Sequence, residues 1–186
     1  MKILLTGSFK SGKTTLANLL RRQGFPIIDE FATTMLEQAQ RRGDLTLKQR
    51  PEFQQMLLSE QLRAEQEAER RYPTFVCDRG AYDIITYSRY YKHEFDWYSL
   101  LQNHKPYNLI FLCTIDGIDV GNQFSAEDLI KRKELQQGFF DTLDNLCVPY
   151  RVLTGTPEER LATVDREIQI YRSNIEGSRR RRLEIN

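Results

Sequence analysis

An α/β fold, with a parallel sheet covered by helices on both faces, is predicted by three observations. Short apolar runs alternate with longer amphipathic stretches along the whole chain. Each intervening stretch is long enough to be a crossover helix, which joins parallel rather than antiparallel strands. The first apolar run ends in a glycine-rich turn that leads directly into a helical pattern.

The elements follow in order. Ile3–Thr6 is a strand ending at Gly7, and Lys13–Gln23 carries Leu16, Leu19 and Leu20 at helical spacing. Pro26–Ile28 is a short second strand. Phe31–Arg42 is a helix closed by Gly43. Glu52–Arg71 is a long charged helix with Phe53, Met56, Leu57, Leu62 and Ala68 on one side, stopped by Pro73. Thr74–Cys77 is the third strand. Ala81–Tyr91 and Phe95–Leu101 read as short aromatic helices, and Leu109–Ile115 as the strongest strand. Asp116–Phe124 is a glycine-containing loop. Ser125 and Asp128 form a capping box that opens a helix to about Leu146. Tyr150–Leu153 is the last strand and Glu158–Tyr171 the last helix. One domain over residues 1–173 is expected, followed by a basic, disordered tail at 174–186.

Composition narrows the function classes. Of 186 residues, 28% are charged, yet the net charge is only +1, so no bulk charge points to nucleic acid or a membrane surface. The charge is uneven: Arg179–Arg182 form a terminal run beyond a mildly acidic body. Such a tail can attract nucleic acid or anionic lipid weakly, but neither is expected as a main partner. Cys77, Cys113 and Cys147 form no CxxC pair, so neither a disulfide framework nor a zinc site is suggested. No apolar run approaches the roughly 20 residues of a membrane span, and no signal-peptide core is present; a cytoplasmic setting is expected.

The chemistry begins at Gly7-Ser8-Phe9-Lys10-Ser11-Gly12-Lys13-Thr14, which meets the pattern G-x-x-x-x-G-K-[ST] between a strand and a helix. Such a P-loop binds a nucleoside triphosphate, ATP or GTP, with Mg2+. Its glycines let backbone N–H groups converge on phosphate oxygens, and the helix N-terminus adds its positive dipole end. Lys13 is expected to reach the β- and γ-phosphates, Thr14 to ligate magnesium, and Thr15 to complete the cradle.

Ligands of open α/β sheets lie beyond the carboxyl ends of the strands. Asp29 and Glu30 follow the second strand, and Asp78 and Arg79 the third. Asp78 is a candidate magnesium carboxylate, and Arg79 a clamp for a phosphate or an acceptor. Glu30 fits a general base that takes a proton from an acceptor hydroxyl; it equally fits a first-turn acid complementing the helix dipole. Asp29 shares that role or caps the helix. Lys131, Arg132 and Lys133 follow the glycine-containing loop, and Arg132 is the candidate lid cation. Tyr82, Tyr87, Tyr90, Tyr91, Phe95, Trp97 and Tyr98 can stack a planar substrate or simply pack on the sheet.

The set Gly7–Thr14, Glu30, Asp78-Arg79 and Arg132 resembles the thymidylate-kinase-like branch of P-loop kinases. Within it, the chain is similar to the small AAA-type group that includes the nicotinamide riboside kinase domain of the bacterial NAD regulator. The resemblance covers roughly residues 1–170, including Pro149–Gly155 and Glu158–Leu161. It implies the three-layer P-loop NTPase fold with a five-stranded parallel sheet, and phosphoryl transfer to a nucleoside-like or small-metabolite acceptor. Two positions depart from it. Glu30-Phe-Ala-Thr33 has threonine where the family often has arginine, and Asp119-Val-Gly-Asn122 lacks the arginine of the lid loop. Either Lys131–Lys133 compensates, or the chain is a nucleotide-dependent switch with weak transfer. No guanine-specificity string Asn/Thr-Lys-x-Asp is present, which argues against a Ras-like GTPase.

Overall fold

A computed structural model describes residues 1–47, 50–93, 96, 101–102, 104–118 and 124–183, and their side chains except at 51 and 179–183. The fold is the expected one. Strands β1 (Lys2–Thr6), β2 (Ile27–Ile28), β3 (Phe75–Asp78), β4 (Leu109–Cys113) and β5 (Arg151–Leu153) form one parallel sheet in the order β2-β3-β1-β4-β5. Among the described residues six helices surround it: α1 (Lys13–Arg22), α2 (Phe31–Arg41), α3 (Pro51–Arg71), α4 (Ala81–Tyr90), α5 (Ala126–Asn145) and α6 (Pro157–Leu183).

Side chains of a strand alternate between its faces, so the central strand feeds two cores. Ile3 and Leu5 of β1 pack with Leu16 and Leu20 of α1 and with Val164 and Ile168 of α6. Leu4 faces the other way, toward Phe53 and Leu58 of α3, Ile85 of α4 and Phe139 of α5. Cys77 and Cys113 are buried in these cores, as their apolar surroundings predict, while Cys147 is exposed. No described helix is long and apolar enough to cross a membrane.

Because β1 lies between β3 and β4, the chain leaving it enters the switch point of the sheet, where the strand order runs outward on both sides. Leu5 is in register with Asp78, and Thr6 with Leu112, so Asp78 stands level with the start of the P-loop.

The long helix α3 differs from its predicted face. Met56 is 48% exposed, whereas Gln54, Leu58, Gln61 and Glu65 are buried beside Phe53 and Leu57. The 3.6-residue period that aligns Phe53, Leu57, Gln61, Glu65 and Ala68 excludes position 56, and hydrophobicity alone does not reveal polar members of that stripe. The last helix continues past residue 173, where a frayed tail was expected, and its backbone is helical to Leu183. The predicted helix at Phe95–Leu101 falls almost wholly outside the described residues, as do Asp119–Asn122.

Candidate functional site

The P-loop is shaped by close approach. A Cβ on Gly7 (φ 131°) would lie 2.3 Å from the Cys113 carbonyl oxygen, so only glycine fits between β1 and β4. Gly12 (φ 84°) is the left-handed N-cap of α1, which aims that helix's first turn into the loop. Lys10 also has positive φ (55°). Lys13 is buried and donates to the Ser8 carbonyl (2.6 Å) and the Ser11 hydroxyl (3.1 Å). Burial, reinforced by the Arg79 charge, brings its ammonium down to about 8. Phe9 packs its ring against Phe124, centroids 6.0 Å apart, and the Ser8 hydroxyl donates to the Arg132 carbonyl (2.9 Å). The loop is thereby tied to the start of α5.

Thr14 and Asp78, the two candidate magnesium residues, meet directly: the Thr14 hydroxyl donates to Asp78 Oδ2 at 2.8 Å. Asp78 Oδ1 is buried without a hydrogen-bond partner among the described residues. Burial raises the Asp78 carboxyl, against the pull of Thr14, Lys13 and Arg79. A free carboxylate oxygen beside a hydroxyl at the mouth of a P-loop fits a hydrated divalent cation.

Arg79 stands between the P-loop and the Glu30 corner of α2. Its backbone is in the left-handed region (φ 77°), unfavourable for a side-chain-bearing residue, and this turns its guanidinium back across the sheet edge. There it pairs with Glu30 (Nε to Oε1, 2.9 Å) and Asp83 (Nη1 to Oδ1, 3.1 Å), and donates to the Gly7 carbonyl (3.3 Å). The guanidinium also lies over the Tyr87 ring at 5.2 Å. Glu30 is the N-cap residue of α2 but caps nothing with its side chain. Asp29 instead points to the surface and pairs with Arg21. Asp83, a residue the sequence reading passed over, is fully buried, receives the Gly80 N–H at 3.1 Å, and is raised by burial to about 6 against Arg79 and Lys13.

The basic triplet divides three ways. Lys131 donates to the Tyr91 hydroxyl (3.0 Å) and lies over the Tyr90 and Tyr91 rings; Lys133 is exposed. Arg132 is buried and donates through Nη2 to the Lys10 carbonyl (2.9 Å), a P-loop brace rather than a free lid cation.

Behind Arg79 lies a buried polar network. Gln61 donates to the Arg79 carbonyl (3.2 Å) and to Glu65 (2.7 Å); Tyr107 donates to Glu65 (2.7 Å) and accepts the Ala81 N–H (2.9 Å). Lys2 pairs with Glu65 at 2.6 Å, and His104 Nε2 lies 3.0 Å from it. Burial alone would raise Glu65, but the His104 hydrogen bond and the Lys2 charge hold it at about 2. This network grips both sides of the strained Arg79-Gly80 turn.

Of these groups, the P-loop, Glu30, Gln61, Arg79 and Asp83 line one cleft of about 560 Å³. The P-loop from Phe9 to Thr15 forms one end; Glu30, Arg79 and Asp83 stand in the middle; Phe31, Leu36, Phe53, Leu57 and Tyr87 make an apolar wall with Gln54 among them. Tyr82 is instead buried against Tyr107, and Phe95, Trp97 and Tyr98 lie outside the described residues.

A family model described as an AAA domain matches residues 2–160. Comparison with curated protein sequences gives no significant match. Among solved structures, the chain is similar to deoxyadenosine kinase from M. mycoides with products dCMP and a flexible dCDP bound (TM-score 0.63, 14% identity, covering 91% of this chain and 99% of that one). It is similar to NadR protein in complex with NR (TM-score 0.68, 17% identity, 91% of this chain), and spans 51% of that protein's chain. It is similar also to thymidylate kinase from Ehrlichia chaffeensis (TM-score 0.60, 18% identity, 89% of this chain and 96% of that one). At such identities the likeness is one of fold. With the sheet order, the strand–P-loop–helix geometry and the match over residues 2–160 in agreement, the chain belongs to the AAA domain family of P-loop proteins.

Proposed function

We propose that the protein is a phosphotransferase that binds ATP or GTP with magnesium and passes the γ-phosphoryl group to a hydroxyl or phosphate of a nucleoside-like or small-metabolite acceptor. The observation that carries this reading is the continuity of the cleft. It runs from the P-loop past Glu30 and Arg79 to an apolar wall built by α2, α3 and α4. A nucleotide's phosphates need only the first end; the second offers a room beside the γ-phosphate, with a carboxylate, an arginine fork and aromatic side chains.

Each role follows from chemistry. Lys13 exchanges its Ser8 and Ser11 partners for β- and γ-phosphate oxygens. Thr14 and Asp78 would hold magnesium, which supplies charge neutralisation at those oxygens. Glu30 orients the acceptor hydroxyl and takes its proton late, as a loose phosphoryl transition state allows. Arg79 presents a planar fork, held by Glu30 and Asp83, to the acceptor or the transferring group.

A switch with little transfer is the second reading, and one observation favours it. Lys131 is engaged by tyrosines and Arg132 by the Lys10 carbonyl, while Thr33 stands at the cleft where the related kinases often carry arginine. Incubation with γ-labelled ATP or GTP, magnesium and a panel of nucleosides, nucleotides and vitamin-like metabolites separates the two. Labelled acceptor supports the transferase. Slow hydrolysis with no labelled acceptor from any of them supports the switch.

A further inference from the structure

Three cations are buried around the P-loop: Lys13 (4% exposed), Arg132 (5%) and Arg160 (2%). Among the described residues none of them makes an ion pair. Their hydrogen-bond partners are main-chain carbonyls, joined for Lys13 by the Ser11 hydroxyl. Arg160 is the most fully engaged. Its Nη1 donates to the Ser11 carbonyl (2.6 Å), Nη2 to the Thr114 carbonyl (3.0 Å) and Nε to the Gly155 carbonyl (3.0 Å). One guanidinium thus joins the P-loop to the ends of β4 and β5. Its own place is fixed by a capping box in the first turn of α6. The Thr156 N–H donates to Glu159 (2.8 Å), the Glu159 N–H to the Thr156 hydroxyl (3.2 Å), and Pro157 stands at the first helical position.

A trans peptide is planar, and its N–H points opposite to its C=O. The Ser11 carbonyl shares a peptide plane with the Gly12 N–H. A cation that holds the carbonyl on the protein side therefore turns the N–H toward the cleft. The Arg160 charge also remains, close beneath the loop: a Cβ on Gly12 would lie 3.4 Å from its Nη1. Buried charge without a counter-ion is costly, and an anion in the loop above relieves that cost.

We propose that Arg160 is a positioning residue of the phosphate site, which fixes the Gly12 N–H toward a bound polyphosphate and contributes a permanent charge beneath it. This rests on the P-loop taking a nucleoside triphosphate. Three substitutions test it in the full-length protein: Arg160→Met, which keeps volume and loses charge; Arg160→Gln, which keeps donors and loses charge; and Arg160→Lys, which keeps charge and loses the fork. Titration calorimetry with ATP, ADP and adenosine, each with magnesium, reads the effect, beside thermal denaturation without ligand.

The expected result is a loss of about tenfold or more in ATP and ADP affinity for Arg160→Met. Adenosine affinity stays as in the wild type, Arg160→Lys shows a smaller loss, and millimolar guanidinium partly restores binding by Arg160→Met. A merely structural arginine would lower the melting temperature in all three variants and leave the ATP-to-adenosine ratio unchanged, which overturns the proposal. If Arg160→Met does not fold, the same ratio in Arg160→Lys and Arg160→Gln decides. If the wild type binds none of the nucleotides, the phosphate-site reading itself fails and Arg160 falls with it; wild-type binding with unaltered variants sinks only Arg160.

Discussion

In the proposed transfer, Lys13 and Arg79 are the single side chains that make the sharpest demands. Burial and the Arg79 charge bring Lys13 from the usual 10.5 to about 8. The negative charge of a triphosphate acts in the opposite direction and raises it again. Near pH 9, therefore, binding ATP takes up close to one proton, and affinity falls as pH rises above about 8. Calorimetry in buffers of different ionisation enthalpy measures this uptake; Lys13→Met removes it, and equal heats in all buffers would refute it. Arg79 makes a different demand. It needs a planar fork that meets Glu30, Asp83 and the Gly7 carbonyl together, so an ammonium does not replace it. Arg79→Lys is expected to cut transfer by roughly 10³-fold, the lower end of the range for an arginine acting on a transferring phosphoryl group, with nucleotide affinity changed little. Glu30→Gln, which keeps shape and loses the base, is expected to cut it by about 10²–10⁴-fold.

At the scale of elements, α3 supports both the core and the site. Its buried stripe passes from Phe53 and Leu57 to Gln61 and Glu65, and those two hold the Arg79-Gly80 turn from behind. Glu65 sits at about 2 in the folded chain against the usual 4.5. A carboxyl lowered by folding binds fewer protons folded than unfolded between those values. Its stabilisation, about 3 kcal/mol, is full above about pH 4.5 and is lost as pH falls toward 2. Urea unfolding between pH 5 and about pH 2.5 should show this acid limb, and Glu65→Gln should flatten it while lowering stability at neutral pH. Sequence pattern reached this far only in part. The P-loop, the strands and Asp78 were legible because each depends on neighbours in the chain: an apolar run, a glycine turn, a helix start. Arg132 and Arg160 were not legible in their roles, since their carbonyl partners Lys10 and Ser11 lie 122 and 149 residues away. Gln61 and Glu65 were hidden by their polarity on a helix judged by its apolar residues. The capping box Thr156-x-x-Glu159, a local pattern, did hold the signal that would have fixed the register of Arg160.

The whole molecule joins these parts through the order of its sheet. Placing β1 between β3 and β4 brings the P-loop, Asp78-Arg79 and the Glu30 corner of α2 to one edge, and the same edge opens into the cleft. A ligand bridging elements on both faces of the sheet stabilises the fold as a unit. At about 100 times its dissociation constant, ATP with magnesium adds about 2.7 kcal/mol, which raises the melting temperature by roughly 5–10 °C for a chain of this size. Chelating the metal should remove much of that shift if Thr14 and Asp78 hold it. The most direct test of the account is transfer itself: label from γ-labelled ATP followed onto the best acceptor of the panel, in wild type and in Glu30→Gln, with ATP binding measured alongside. Acceptor-dependent label is expected in the wild type, with its loss by about two orders of magnitude or more in Glu30→Gln and ATP affinity retained. Firm ATP binding without label on any acceptor, or equal transfer by both proteins, would contradict the proposed transfer.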